Sequence, residues 1–207
     1  CMVISTTDKV YKNSEDLNNE ESKLGGSEFY SSSKVAQEMV IESFKNSTHN
    51  RTLNLSTVRS GNVLGPGDGA SDRLMTDLIK SLKDEEDIIL RNPNSIRPWQ
   101  DIMDSIYGYL LVAKESYTSN TEDIFNLNTE INNEVTTKEI AEKAIQKWNS
   151  NINIVESKEM NFYEASKLRL DSSKAKSILG WKSKLNIDIT LDKIVEWEKS
   201  NDQDERE

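Results

Sequence analysis

The sequence predicts an α/β fold with a mostly parallel sheet, and three observations support this prediction. Short apolar segments of strand length alternate along the chain with longer segments in which apolar residues recur at helical spacing. Polar or glycine-rich turns follow the first two apolar segments, at the position where open parallel sheets bind ligands. Neither an internal repeat nor a low-complexity linker interrupts the alternation.

The predicted strands are short and apolar. The first contains Met2, Val3 and Ile4 and is apolar enough for a buried central strand of a parallel sheet. The polar segment Thr6-Thr7-Asp8-Lys9 follows directly, where such a strand would present ligand-binding groups. The five strands are predicted at residues 1–5, 53–58, 88–90, 124–127 and 152–155.

Six helices are predicted from the spacing of apolar residues. Thr136 is the expected N-cap of the fourth helix, with Glu139 as its capping-box partner. Gly180 is expected to end the fifth helix. The helices are predicted at residues 30–46, 72–83, 102–117, from 136 onward, 173–179 and 189–199.

Charge and composition exclude several classes of protein. The 207 residues carry 26 Lys and Arg against 36 Asp and Glu, a net charge of −10, which disfavours a nucleic-acid partner. With Cys1 as the single cysteine and His49 as the single histidine, an intrachain disulfide and a zinc site of the usual kind are excluded. His49 is expected in a solvated loop. No apolar run reaches membrane-spanning length, so we expect no membrane partner and a cytoplasmic location.

Tyr30 and Lys34 form the most informative pair in the chain. They are four residues apart near the start of the first predicted helix, so their side chains lie on one helix face. A free phenol is a poor base near neutral pH, and a cation beside it favours the phenolate and lowers the phenol's pKa. The spacing is compatible with proton transfer, but taken alone it is more typical of an exposed Lys beside a half-buried Tyr, so the other motifs must decide between the two.

Thr7, Asp8 and Lys9 also allow two interpretations when taken alone. They could form a turn at the strand end in which Asp8 caps a backbone N–H, or a group of catalytic side chains. The motifs that follow them favour the catalytic interpretation.

Taken in order, the motifs Thr-Thr-Asp-Lys, Tyr-x-x-x-Lys and Arg-x-x-Asn-Val-x-Gly-Pro-Gly-Asp resemble the extended short-chain dehydrogenase/reductase superfamily, in its branch of nucleotide-sugar dehydratases and epimerases. Further strings narrow the resemblance, over residues 3–199, to CDP-glucose 4,6-dehydratases. These strings are Leu24-Gly25-Gly26, Arg91-Asn92-Pro93 with Ile96-Arg97-Pro98-Trp99-Gln100, Gly108-Tyr109-Leu110-Leu111, Leu170-Asp171 with Ser173-Lys174-Ala175, and Leu179-Gly180-Trp181.

The resemblance implies the C-terminal half of a Rossmann-like parallel sheet with a small α/β substrate-binding subdomain. Residues 1–70 would belong to the NAD-binding domain and carry its catalytic helix. Residues 71–200 would form mainly the sugar-nucleotide-binding subdomain, and residues 201–207 a charged tail. Such enzymes begin with a Gly-x-x-Gly-x-x-Gly turn that receives the NAD pyrophosphate, and nothing in this sequence matches it. We therefore expect that an N-terminal portion is missing and that the fragment is inactive.

The resemblance also implies a role for each candidate catalytic residue. Tyr30 would take the proton of the sugar C4 hydroxyl, and Lys34 would lower the pKa of that phenol and bind the nicotinamide ribose of NAD. Thr7 would hydrogen-bond the C4 oxygen. Asp8 would protonate the departing C6 hydroxyl, which requires a raised pKa. Lys9 stands where most sugar-nucleotide dehydratases have Glu, and it would be either the C5 base or a group that orients the sugar.

Three residues are expected to bind the substrate diphosphate: Asn62, Arg73 and Arg97. Two guanidinium groups can form charge-assisted bidentate bonds with phosphates and so offset the acidic balance of the chain locally. Arg73 could equally be a surface residue at a helix start. At residues 163–167 the resemblance weakens, because relatives have His or Arg there for nucleotide contact.

Two alternatives stay open at this stage. The chain could belong to a dehydratase or epimerase for a dTDP-, GDP- or UDP-sugar, although Lys9 and the Arg-Pro-Trp-Gln string favour CDP-glucose. It could also be a non-catalytic sugar-nucleotide-binding or dimerisation module. The resemblance implies a homodimer through the Tyr-x-x-x-Lys helix, with Val35, Met39 and Leu78 at the contact, and a role in making surface polysaccharides.

Overall fold

The computed structural model describes residues 1–12, 16–47, 53–129, 134–157 and 167–204, with side chains to residue 201. His49 and residues 163–166, which were considered above, lie outside these ranges. The strands are β1 (Met2–Ser5), β2 (Leu17–Asn18), β3 (Leu55–Ser60), β4 (Val63–Leu64), β5 (Ile88–Leu90), β6 (Ile96–Arg97), β7 (Gln100–Asp101), β8 (Ile124–Leu127), β9 (Val135–Thr136), β10 (Ile154–Glu156) and β11 (Arg169–Leu170). The helices are α1 (Phe29–Ser47), α2 (Leu74–Asp84), α3 (Ile102–Thr118), α4 (Thr137–Trp148), α5 (Ser173–Leu179) and α6 (Ile187–Asp204), and Asp8–Val10 forms a short 3-10 helix.

The main sheet of the described chain is three-stranded and parallel, in the order β1-β3-β8. Because all three strands run the same way, their carboxyl ends meet at one edge, and Ser5 is paired with Val58 there. The expectation of an α/β fold with a parallel sheet is confirmed.

One prediction about this sheet is wrong. β1 was expected to be a buried central strand, but β3 has the central position and is buried along all six residues. β1 lies at the edge of the described sheet, and Met2 is 48% exposed. An apolar run of four residues has the same composition in an edge strand and in a central one, so composition could not distinguish them.

The helix ends follow the local sequence. Thr136 accepts a hydrogen bond from the backbone N–H of Glu139, whose side chain bonds the Thr136 backbone in return, so the predicted capping box is present. Gly180 ends α5 with φ of +64°, as predicted from its lack of a Cβ. Asp101 caps α3 by accepting from the N–H of Met103 at 2.8 Å.

Three clusters of buried apolar side chains support these elements. The largest joins α2, α4 and α6 and includes Leu78, which is completely buried. Leu78 therefore cannot lie at an exposed dimer contact, and that part of the dimer prediction is wrong. A second cluster lies between the main sheet and α3 and α5, where Trp181 donates to the backbone oxygen of Asp104 at 3.0 Å. Burying each such large side chain stabilises the fold by about 1.5–3 kcal/mol.

Short strand pairs bring a second loop to the carboxyl edge of the main sheet. β4 pairs with β7, and the backbone N–H of Gln100 donates to the oxygen of Asn62 at 2.9 Å. Gly61 packs so closely on Pro98 that an added Cβ would lie 2.2 Å from its Cγ. The turn after β3 and the loop before β7 are thus fixed against each other.

No helix within the described ranges is long and apolar enough to cross a lipid bilayer.

Gly108 tests the packing of α3 on the sheet. A Cβ at this position would lie 2.3 Å from Leu127 Cδ1 and 3.0 Å from Trp181 Nε1, both in the second cluster. We expect Gly108→Ala to lower the free energy of unfolding by about 1–2 kcal/mol, since overpacking costs more than the gain in helix propensity. Urea unfolding followed by circular dichroism measures the change. Gly69→Ala is the matched control, because a Cβ there would meet nothing within 4 Å, and equal stability of the two variants would contradict the packing described.

Candidate active site

A cleft of about 610 Å³ opens at the carboxyl ends of β1 and β3. Its walls come from the 3-10 helix after β1, the first turn of α1, the turns around β4, and the segment from β5 to β6. Seven of the eight predicted site residues line it: Thr7, Asp8, Lys9, Tyr30, Asn62, Arg73 and Arg97. Of the described residues, Lys34 is the one predicted site residue outside this lining.

Thr7, Asp8 and Lys9 are held by a tight turn at the end of β1. Thr7 caps the 3-10 helix, and its hydroxyl accepts from the N–H of Lys9 at 3.4 Å and donates to Asp8 Oδ1 at 3.0 Å. Thr7 and Asp8 are both buried. The backbone of Thr6 also bonds the oxygen of Val58 at 2.8 Å, so the turn is tied to β3.

Asp8 has the surroundings of a carboxyl group that holds a proton. Burial raises the pKa of Asp8, while Lys9, the Thr7 hydrogen bond and Arg97 offset this only in part. Asp8 Oδ2 has no hydrogen-bond partner within the described part of the chain. A buried oxygen of this kind, facing a cleft, is suited to donating a proton to a bound molecule.

Tyr30 lies in the first turn of α1 and is half exposed to the cleft. Glu28 bonds the backbone N–H groups of Tyr30 and Ser31 at 2.7 Å each and so fixes the start of the helix. Gly26 allows the preceding chain to pass this turn, since a Cβ there would lie 2.4 Å from the Ser32 nitrogen.

A cation that the sequence did not indicate lies near the Tyr30 ring. Lys9 Nζ lies 5.7 Å from the centroid of the Tyr30 ring. Lys34 is one turn along α1 from Tyr30, and its ammonium group donates to Gln37 Oε1 at 3.1 Å. The structure thus brings Tyr30 to the Thr7–Lys9 turn, whereas a contact between Tyr30 and Lys34 stays a prediction.

The expected phosphate-binding residues Asn62, Arg73 and Arg97 line the same cleft. Arg97 is buried, and its Nη1 donates to the oxygen of Ile96 at 3.0 Å. Arg73 is exposed and pairs loosely with Asp68 at 3.3 Å. Four basic and four acidic residues line the cleft, with Asp8 among the acidic ones, so the cleft lacks the acidic excess of the whole chain, whose net charge is −10.

Sequence reasoning missed two groups of residues around the cleft. Tyr109 on α3 reaches the end of β1, where its hydroxyl lies 2.7 Å from Ser5 Oγ. Its helical spacing gave no signal for this contact. Arg59 and Glu38 form a buried ion pair, which the sequence did not indicate because the predicted strand at 53–58 ended before Arg59.

Comparison with known proteins identifies the family. A model of the GDP-mannose 4,6-dehydratase family matches residues 1–194. The chain belongs to this family. A curated relative, the CDP-glucose 4,6-dehydratase of Salmonella typhimurium strain LT2, is 36% identical over 97% of the chain and 58% of the relative. The chain therefore spans somewhat more than half the length of this relative.

Solved structures of the same fold agree with the family. A UDP-glucuronic acid 4-epimerase from Bacillus cereus, in complex with UDP-glucuronic acid and NAD, has a TM-score of 0.84 at 17% identity, over 96% of this chain and 61% of that one. A dTDP-glucose 4,6-dehydratase from Bacillus anthracis, in complex with NAD, has a TM-score of 0.79 at 20% identity, over 97% and 62%. At these identities the likeness establishes the fold.

Replacing Asp8 tests its buried state through the pH dependence of stability. Because the pKa of Asp8 is raised above the usual 3.8 in the folded protein, its contribution to stability decreases as the pH rises above that value. Asp8→Asn lacks this titration, so its free energy of unfolding should rise relative to the parent between about pH 4 and about pH 7. Urea unfolding at both pH values measures the difference. The exposed Asp84→Asn is the control, and a pH-independent difference for Asp8→Asn would contradict the assignment.

Proposed function

We propose that this cleft belongs to an NAD-dependent enzyme that performs the 4,6-dehydration of a nucleotide-activated hexose. The first candidate substrate is CDP-glucose, which would give CDP-4-keto-6-deoxyglucose. The observation that carries the proposal is a buried Asp8 with a raised pKa, set in one cleft with Tyr30 and Lys9. The 36% identity to a CDP-glucose 4,6-dehydratase supports the choice of nucleotide.

Substrate binding is assigned to Asn62, Arg73 and Arg97, which line the cleft together with Tyr30. Arg97 and Arg73 would bind the diphosphate by charge-assisted hydrogen bonds, and Asn62 would add a neutral one. Arg97 is the stronger contributor, because a buried guanidinium competes less with water than the exposed Arg73 does. The sugar would then extend towards the Thr7–Lys9 turn.

Each catalytic residue has a separate task in the proposed reaction. Tyr30 accepts the proton of the C4 hydroxyl while Thr7 holds the C4 oxygen. NAD, when bound, would supply a reversible hydride acceptor, so that the hydride lost from C4 is regained at C6 with no net oxidation. The C5 proton is removed, and a proton is returned to C5 when C6 takes up the hydride. Lys9 either carries this proton or orients the sugar. Asp8 donates its proton to the departing C6 hydroxyl, and water is released.

Tyr30 and Lys34 fit the nicotinamide ribose end of NAD. The half-exposed phenol of Tyr30 and the ammonium of Lys34, on one face of α1, would hold the nicotinamide ribose. The 207 residues contain no Gly-x-x-Gly-x-x-Gly turn for the pyrophosphate. We therefore propose that these residues alone are inactive, and the experiments on turnover use the full-length protein.

Turnover of CDP-glucose against dTDP-glucose tests the proposal, with the 4-keto product detected by its ultraviolet absorbance in alkali. We expect product from CDP-glucose.

Tyr30→Phe should lower kcat by about 10²–10⁴-fold, because it removes the proton acceptor. Arg97→Gln should raise KM by roughly 10–100-fold through loss of a charge-assisted hydrogen bond.

Two surface variants are the controls: Tyr117→Phe removes an exposed hydroxyl and Lys80→Gln an exposed charge, both outside the cleft lining. Product from dTDP-glucose alone would overturn the CDP assignment. Binding of CDP-glucose without turnover would favour the alternative of a non-catalytic sugar-nucleotide module.

We also propose a homodimer through α1. Met39 and Val40 are more than 60% exposed, and Phe44 one turn further is 42% exposed, so the helix presents an apolar face. Val35 packs instead against the cluster of Val10 and contributes less.

Met39→Glu should shift the protein to monomer in sedimentation experiments, with Lys45→Glu as the control on the same helix. An unchanged dimer in both variants would exclude this face.

A further inference from the structure

A buried ion pair connects the catalytic helix to the centre of the sheet. Arg59 on β3 bonds Glu38 on α1 through two parallel contacts, Nε to Oε1 at 2.8 Å and Nη2 to Oε2 at 2.5 Å. The side chains are 2% and 5% exposed. A bidentate pair excluded from water has one favourable geometry, so it fixes both position and orientation.

The pair also reaches both sides of the Thr7–Lys9 turn. Thr6 donates to Glu38 Oε1 at 2.7 Å, directly before the turn. Arg59 Nη1 donates to the hydroxyl of Tyr11 at 2.9 Å, directly after it. Burial raises the pKa of Tyr11 to about 12, so its hydroxyl stays protonated and donates in turn to Asn126 on β8 at 2.7 Å.

The location of Glu38 on α1 gives the pair its importance for the site. Glu38 lies one turn beyond Lys34 and two turns beyond Tyr30. Among the described residues of α1, only Ser31, Glu38 and Ile41 are buried. The helix therefore has few apolar contacts that could set its rotation and its height above the sheet.

Stability alone does not account for such a pair. Well-packed apolar residues of similar volume can replace a buried ion pair with little loss of stability, while removal of one partner leaves an unpaired buried charge. Apolar residues cannot hold α1 and β3 in one fixed register as this bidentate pair does. The pair also makes two further hydrogen bonds, to Thr6 and Tyr11. We propose that Arg59 and Glu38 are positioning residues, which hold Tyr30 on α1 in register with the Thr7–Lys9 turn. This inference rests on the proposed function only in that Tyr30 and that turn are the catalytic groups.

The test replaces both partners at once, by Arg59→Met with Glu38→Leu, so that no charge is left unpaired. Fluorotyrosine is incorporated, and the ¹⁹F resonance of Tyr30 is assigned by its loss in Tyr30→Phe. We expect the double variant to keep its urea midpoint and to show a shifted or broadened Tyr30 resonance. In the full-length protein, kcat should fall by about 10²-fold, the cost of a misplacement near 1 Å, while KM for the sugar nucleotide is retained.

The matched control removes an exposed ion pair, by Lys143→Met with Asp188→Leu, and should change neither readout. Arg59→Lys with Glu38 unchanged keeps one charged hydrogen bond, so its kcat should lie between that of the double variant and that of the parent. An unchanged Tyr30 resonance in a folded double variant would overturn the proposal. If the double variant does not fold, the Tyr30 resonance is measured in Glu38→Gln instead, and an unchanged resonance there would also overturn the proposal. Absence of turnover in the parent would count against the proposed function alone, since the fluorine comparison does not depend on it.

Discussion

The parallel pairing of β1 with β3 is the constraint on which the site depends. It places the turn after Ser5 beside the turn after Ser60, although more than 50 residues separate them in the chain. Both turns are polar, and neither could form a cleft alone. The α1 crossover between the two strands then brings Tyr30 to the same edge, as a parallel connection requires. The loop that carries Arg97 completes the cleft through the β4–β7 pair.

Burial of charge gives this edge its chemical character. The chain as a whole is acidic, yet the buried groups around the cleft include Arg59 and Arg97 as well as Asp8 and Glu38. In surroundings of low polarity, each charge must find a partner or change its protonation. Arg59 and Glu38 satisfy each other, whereas Asp8 is only partly compensated and its pKa is raised. The same sheet edge thus contains a fixed ion pair and a carboxyl group suited to giving up a proton.

Local features of the sequence predicted the six helices, the five longer strands and several of their ends, but not the six two-residue strands of the described chain. Thr136 and Gly180 act through groups within a few residues of themselves, so their roles could be derived without knowledge of the fold. Long-range packing was the source of the errors. The edge position of β1 and the complete burial of Leu78 depend on which elements become neighbours, which apolar spacing does not specify. The approach of Lys9 to the Tyr30 ring also depends on the fold, and the sequence did not indicate it.

The amino-acid sequence was sufficient to predict the α/β class, the order of the six helices and the five longer strands and, through its motifs, the residues expected to act in proton transfer and phosphate binding. Those properties depend on side-chain identity and local spacing. The packing of the folded chain sets which of these residues share a cleft, buries Asp8 there and brings Arg59 to Glu38. These results depend on contacts between segments that are far apart in the sequence, such as those of Asp8 and Arg97. Such contacts form only when strands and helices pack together, and burial, which sets the protonation of Asp8, does not exist before they do.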